Sequence, residues 1–391
     1  MRRVYFDNNA TTSVEPDVVT GMLPYFSGDY GNAASIHSFG QATRAAVERA
    51  RDSVAGLMGA KASEVAFTSC GTESDNLAIF GIAGAADGKA KHVITTQIEH
   101  SAALNPCQAL ALRGVEVTFL PVNSAGVVDA ADVRRALRPD TVLITVMHAN
   151  NEIGTVQPIE EIGRIAAEAD VWFHTDAVQT AGKVPLDVNA LGVDLLSVSA
   201  HKFYGPKGVG ALYVRSGTKL EPLLFGGSHE RDRRPGTENV PGIVGIGRAA
   251  EIAKQKLAED AARVGALRDR FEKGIVANVP DVKVNGAGAP RVFNTANITF
   301  PGVASESLLI ALDMKGLACS SGSACSSGAV RPSHVLTAIG LDAADARASL
   351  RFSLGRHTTD ADVHYALELI PGEVARLRAL SPESKKLATV K

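Results

Sequence analysis

Cysteine is scarce in this chain. Its 391 residues include four, Cys70, Cys107, Cys319 and Cys325, and no two of them have the CxxC spacing. That argues against a disulfide scaffold and against a structural zinc site, both of which need clustered thiols. A charge excess of either sign is missing as well. Forty Lys and Arg against 42 Asp and Glu leave a net charge of -2, with a pI near 6.6. Such a balance makes no electrostatic case for nucleic acid or an anionic membrane as partner. No uninterrupted apolar run is long enough to span a bilayer. The opening MRRVYFDNNATT follows its arginines with Asp7 and polar residues instead of an apolar stretch, so it does not read as a signal peptide. What remains, 45% hydrophobic and 21% charged residues, is the composition of a soluble globular protein, long enough for two domains. A cytoplasmic location with reduced thiols is expected.

Short β-branched runs recur along the chain: VAFT from Val65, HVITT from His92, VEVTFL from Val115, TVLITVM from Thr141, VWFHTD from Val171, VDLLSVS from Val193 and GALYVR from Gly210. Helix-like stretches such as TESDNLAIFGIAG and PIEEIGRIAAEA lie between most of them. Near-continuous apolar strands alternating with helices predict an α/β fold with a mainly parallel sheet buried on both faces. After Pro241 the pattern changes to one long helical segment, then short strands and a final helix, which predicts a smaller α+β domain. The expected division is an N-terminal segment at 1–14 packing with the small domain, a large domain at 15–255 and a small C-terminal domain at 256–391.

In open parallel sheets, ligands sit beyond the carboxyl ends of the strands. Four polar groups of residues fall at such ends. FTSCGTESDN sets Gly71, Thr72 and Glu73 between a strand and a helix start, a natural phosphate cradle of backbone N–H groups. FHTDAVQT ends a strand on Asp176, with Gln179 just beyond. SVSAHKFYGPKG supplies Ser199, His201 and Lys202, and ITTQIEH leaves His100 at a strand–helix junction. Singly, each has a plainer reading: Thr72 as a helix N-cap, Asp176 as a turn cap, His100 as a structural histidine. Together they match one cofactor. Pyridoxal 5'-phosphate needs a lysine for covalent attachment, a carboxylate facing the pyridine nitrogen, a phosphate site and a flat group against the ring. Lys202, Asp176, the Gly71–Thr72 turn and His100 fill those needs. Lys207, beyond Pro206 in a turn, is the weaker lysine.

One further stretch, SSGSACSSG from Ser320 to Gly328, has no core face and reads as an exposed, flexible loop carrying a thiol, Cys325. In isolation Cys325 could equally be a spare thiol or half of a redox pair with Cys319.

With YFDNNATT, GNAASIHSFG, FTSCGTESDNLAI, MHANNEIGTVQ, FHTDAVQTAGK, SAHKFYGPKGVGALYVR, RRPGTEN, SSGSACSSG and LRFSLGR in order, the chain resembles, nearly end to end, the cysteine desulfurases of the NifS/IscS type. These belong to the class V branch of fold-type I pyridoxal-phosphate enzymes. The resemblance implies that fold, and that Lys202 bonds the cofactor, Asp176 faces its ring nitrogen and His100 stacks on the ring. It implies that Gln179 and Asn151 contact the ring-hydroxyl side, and that Thr72, Ser199, His201 and the Gly71 N–H bind the phosphate. Thr237 is expected to reach the phosphate in a neighbouring subunit, which implies a homodimer. Arg351, with Asn151, is expected to bind the substrate carboxylate. L-cysteine is the implied substrate and L-alanine the product, with sulfur passed to Cys325 as a persulfide for a sulfur-acceptor or scaffold protein. No metal is expected beyond an iron–sulfur cluster that Cys325 could ligate. A selenocysteine lyase or a class V aminotransferase is the alternative. The family has glycine where this chain has Cys70, which raises the question of whether the backbone there needs glycine's freedom.

Overall fold

The computed structural model describes residues 2–86, 91–321 and 332–380. Within them, twelve strands run in chain order: β1 (Val4–Tyr5), β2 (Val65–Thr68), β3 (His92–Thr96), β4 (Glu116–Leu120), β5 (Thr141–Thr145), β6 (Trp172–Asp176), β7 (Leu195–Ser199), β8 (Gly210–Val214), β9 (Lys283–Asn285), β10 (Thr295–Thr299), β11 (Leu317–Ala318) and β12 (Ser349–Ser353). β2 to β8 form one seven-stranded sheet in the order β2-β8-β7-β6-β5-β3-β4. The pairs among β3 to β7 are parallel, while β8 runs antiparallel to both β7 and β2. Two reversals cancel, so β2 points the same way as β7. The carboxyl ends of β2, β3, β5, β6 and β7 therefore share one edge.

The sheet is mainly parallel because its strands are apolar on both faces. Every residue of β2, β3, β7 and β8 is buried, and helices such as Gly71–Ala85 and Ile159–Glu168 cover it. A second, three-stranded sheet, β12-β10-β9, is antiparallel. One 39-residue helix, Val240–Asn278, serves both regions. Its Ile243, Ile246 and Ala250 join the larger core, and its Val264, Phe271 and Ile275 join the core over the small sheet. There, the Phe271 ring lies 5.6 Å from Phe6 and 4.9 Å from Phe352. Each buried phenylalanine contributes on the order of 1.5–3 kcal/mol, so this contact ties the N-terminal segment to the long helix and to β12.

The N-terminal segment then threads between the two sheets. β1 pairs parallel with β11, Asn9 N donates to Ser353 Oγ (2.9 Å), and Thr12 N donates to the His201 carbonyl (2.9 Å). This route brings Asp7 and Asn9 beneath the shared strand edge.

Candidate active site

The strand edge opens into a cavity of about 360 Å³. Of the residues singled out from sequence, Gly71, Thr72, His100, Asn151, Asp176, Gln179, Ser199, His201, Lys202 and Arg351 all line it. Thr237 does not; it is exposed on the segment after His229. Cys325 lies outside the described residues. Asn9, Asp75, Met147 and Ser320 also line the cavity and were not anticipated.

β6 places Asp176 at its last position and in register with Ser197 of β7, so Ser199 and Lys202 extend past it over the opening. Asp176 is buried, and its Oδ1 accepts from Val178 N (2.9 Å). Burial raises its pKa, while His100, the Val178 N–H and Lys202 pull it down. Lys202 Nζ donates to the carbonyls of Asn9 (2.6 Å) and Ala10 (2.9 Å). Burial and the Arg351 cation lower its pKa to about 8, against the opposing pull of Asp176 and Asp7. A lysine so perturbed holds a useful share of free amine near neutrality, which an unperturbed lysine does not.

His100 turns out to be a helix cap: its Nδ1 accepts from Ala102 N (3.1 Å) at the start of Ser101–Leu112. The surrounding protein lowers its pKa, with Asp176 opposing and Lys202 reinforcing. A neutral ring with Nδ1 engaged as acceptor carries its proton on Nε2. His201 is pushed down to about 4 by burial and by the cations of Lys202, Lys207 and Lys183, and its Nδ1 lies 3.1 Å from Thr11 Oγ1.

The cradle has no side-chain cap. Cys70 occupies the N-cap of Gly71–Ala85 without a capping hydrogen bond, which leaves first-turn N–H groups for a ligand. Cys70 is extended, at φ -174°, so cysteine needs no glycine-like freedom there. The turn is braced from outside: Glu73 accepts from Ser69 N (2.8 Å) and from Arg234 Nε (2.9 Å). Arg234 follows three non-glycine residues in the left-handed region, Glu230, Arg231 and Asp232, at φ 47°, 56° and 63°. Their strain is offset by the Glu230 carboxylate, which is bound to Arg51 (2.6 and 2.9 Å) and to Phe67 N (2.9 Å).

Arg351 is buried. Its Nη2 meets Asp7 Oδ1 at 2.7 Å, and its Nη1 donates to the Asn151 carbonyl at 3.0 Å. Its Nε has no partner among the described residues. These two contacts orient the guanidinium of a residue that lines the cavity.

The residues fit a phosphorylated pyridine. Ser199 Oγ is buried and without a hydrogen-bond partner among the described residues, a state that a phosphate oxygen would relieve. At Gly71 a Cβ would come within 2.7 Å of Val178 Cγ2 and 3.5 Å of Ser199 Cβ, so the bare backbone is what lets the cradle close over the strand ends. Asp176, buried and with no cation bonded to it among the described residues, suits a cationic ring nitrogen. Fold and site together are those of a fold-type I pyridoxal-phosphate enzyme.

The comparisons with known proteins narrow the class. Residues 4–366 match the family model described as Aminotransferase class-V. The chain is 50% identical over 381 residues to a protein named cysteine desulfurase IscS from Dictyoglomus turgidum, covering 97% of each chain. A solved structure titled NifS-like protein superposes with a TM-score of 0.90 at 38% identity, over 96% of this chain and all of that one. Another, titled SspA in complex with cysteine, gives 0.81 at 40% identity, over 91% of this chain and all of that one. The chain belongs to the class V aminotransferase family, among its pyridoxal-phosphate-dependent cysteine desulfurases. No helix among the described residues is long and apolar enough to cross a membrane.

Proposed function

We propose that this enzyme converts L-cysteine to L-alanine and passes the sulfur to Cys325. One observation carries the reading: Lys202, with its lowered pKa, shares a single cavity with the Arg351 guanidinium, Asp176 and the Ser199 cradle. A cofactor lysine, a carboxylate anchor, a ring-nitrogen partner and a phosphate site thus converge on one cavity of about 360 Å³.

When bound, pyridoxal 5'-phosphate supplies an electron sink for the substrate α-carbon. The first turn of Gly71–Ala85, with Thr72, Ser199 and His201, holds the phosphate. Asp176 would keep the ring nitrogen protonated, and the Gln179 amide and Asn151 would hold the ring-hydroxyl side. Lys202 would hold the cofactor covalently and, as a free amine, would serve the substrate as a base. The pKa of about 8 would leave a share of that amine neutral near pH 7 and able to receive a proton. Arg351 grips the substrate carboxylate. His100, lining the cavity, would lie against the ring, and its Nε2–H is the proton it could donate there.

The overall sulfur step balances. The carbon–sulfur bond of cysteine breaks, a sulfur–sulfur bond to Cys325 forms, and the Cys325 thiol proton offsets the new C–H bond of alanine. The assignment of Cys325 rests on SSGSACSSG alone. A sulfur-acceptor or scaffold protein would then take the persulfide. Thr237, exposed in this chain, would complete the phosphate site of a second subunit, making the working form a homodimer, and the location would be cytoplasmic. The two units, divided near residue 255 within the long helix, are read as a cofactor domain and a smaller domain carrying Arg351. Purified protein mixed with PLP and L-cysteine should release alanine and sulfide in step when a thiol reductant discharges the persulfide. Alanine without matching sulfide would contradict the reading.

A further inference from the structure

Lys183 is a buried lysine with no assigned task. It lies seven residues past Asp176, is 9% exposed, and its Nζ donates to two amide oxygens: Gln179 Oε1 at 2.9 Å and Asn9 Oδ1 at 3.4 Å. A buried ammonium held by neutral oxygens is poorly compensated. Burial, reinforced by the Lys202 and Arg351 cations, lowers its pKa to about 7.

The hydrogen bonds around it form a closed set. The Asn9 carbonyl accepts from Lys202 Nζ (2.6 Å) and from Gln179 Nε2 (3.0 Å). The Asn9 side-chain Nδ2 donates to the Asn151 carbonyl (3.1 Å) and to Thr295 Oγ1 (2.8 Å), and its Oδ1 accepts from Asn294 Nδ2 (3.0 Å) as well as from Lys183. The Asn151 carbonyl can only accept, which sets the orientation of the Asn9 amide. The Asn9 carbonyl and the Lys183 amine set that of Gln179 in the same way: one demands a donor and the other supplies one.

We propose that Lys183 is a positioning residue for the cofactor-facing amide of Gln179. By occupying Oε1, it keeps the donating Nε2 end turned to the Asn9 carbonyl and the cavity, with a second Nε2 hydrogen left over for the ring oxygen of the cofactor. This rests on the desulfurase reading, since it assigns Gln179 to that oxygen. A hydrogen bond donated to the ring oxygen favours its deprotonated form, which absorbs in the visible. With only the Asn9 carbonyl left to orient it, the amide would offer its own carbonyl part of the time and favour the protonated form, which absorbs in the near ultraviolet.

The test is a double-mutant cycle on the full chain reconstituted with PLP, using Lys183→Met and Gln179→Ala. Lys183→Met removes the amine at similar volume, a change that buried ions tolerate well. It should move part of the cofactor absorbance from the visible to the near ultraviolet and raise the PLP dissociation constant roughly 2- to 10-fold, the range for one hydrogen bond. In the Gln179→Ala background the same change should do neither. Lys183→Gln, which retains an N–H donor, should restore most of the visible band and keeps the question answerable if the methionine variant folds poorly. Equal shifts in both backgrounds, or an unchanged spectrum in Lys183→Met, would overturn the proposal. Failure of the unmodified chain to take up PLP would count against the functional reading itself, whereas normal uptake with an inert Lys183→Met counts against this one alone.

Discussion

Replacing Arg351 by lysine removes the guanidinium fork while keeping a positive charge, and the structure says what should be lost. In the native chain Asp7 Oδ1 at 2.7 Å and the Asn151 carbonyl at 3.0 Å hold the two Nη groups. The group is therefore preorganised, with little side-chain entropy left to lose when a carboxylate binds. Lysine offers a single ammonium on a flexible stem, and Asp7, only partly exposed, competes with the substrate for it. Losing one charge-assisted hydrogen bond costs about 1.5–3 kcal/mol, so kcat/KM for L-cysteine should fall roughly 10- to 150-fold. The interaction is made before and during reaction alike, so most of the loss should appear in KM rather than kcat. Initial rates of alanine formation over a range of cysteine concentrations measure both, and the unchanged visible spectrum of bound PLP serves as the check on folding. A kcat/KM within twofold of the native value would refute the placement of the substrate carboxylate at Arg351.

Four further outcomes are expected. Lys202→Ala should leave no PLP attachment reducible by borohydride; retained attachment would move the assignment to Lys207. In the native chain the rate of that attachment to apo-protein should drop about tenfold per pH unit below pH 8, because the lowered pKa makes the free amine the minor form only below that point; a break above pH 10 would mean an unperturbed lysine. Ser199→Ala deletes a buried hydroxyl that has no partner among the described residues, so apo-protein thermal stability should hold or rise while PLP affinity falls, by about fivefold for one hydrogen bond; loss of stability with unchanged affinity would contradict its place at the phosphate. Thr237→Ala should weaken PLP retention in sedimenting dimers, and a fully active monomer at nanomolar concentration would remove the second subunit from the site.

How much of this was legible beforehand differs by residue. The seven strands of the large sheet announce themselves through β-branched runs, and a polar residue closing such a run, as Asp176 and Ser199 do, marks the ligand edge. The backbone question at Cys70 is answered by an extended φ, which no composition argument could supply. Asp7 was hidden because its partner Arg351 is 344 residues away; only the threading of the N-terminal segment between two sheets brings them together. Asp75 sits in the same FTSCGTESDN block as the cradle, yet nothing in that spacing says that it turns inward, where its carboxyl is buried and its Oδ1 lies 3.5 Å from His174 Nε2. The left-handed run Glu230–Asp232 contains no glycine to betray it, because the buried Arg51 contact, not local propensity, holds it in place. Long-range pairing was the common reason for what stayed hidden.

The most direct test of the central claim is a single turnover of Cys325→Ser with L-cysteine, following the cofactor spectrum and alanine together. The variant should bind PLP normally and change its spectrum on adding cysteine, then release no alanine, since a hydroxyl is far less nucleophilic toward sulfur than a thiolate. Cys319→Ser and Cys70→Ser are the controls and should lose much less. Burial pushes the Cys319 thiol up to about 12, out of reach of thiolate chemistry at neutral pH, and at Cys70 it is the backbone, with no capping hydrogen bond from the thiol, that starts the helix. Alanine release by Cys325→Ser at the native rate would contradict the account, leaving a pyridoxal-phosphate lyase that has no use for Cys325.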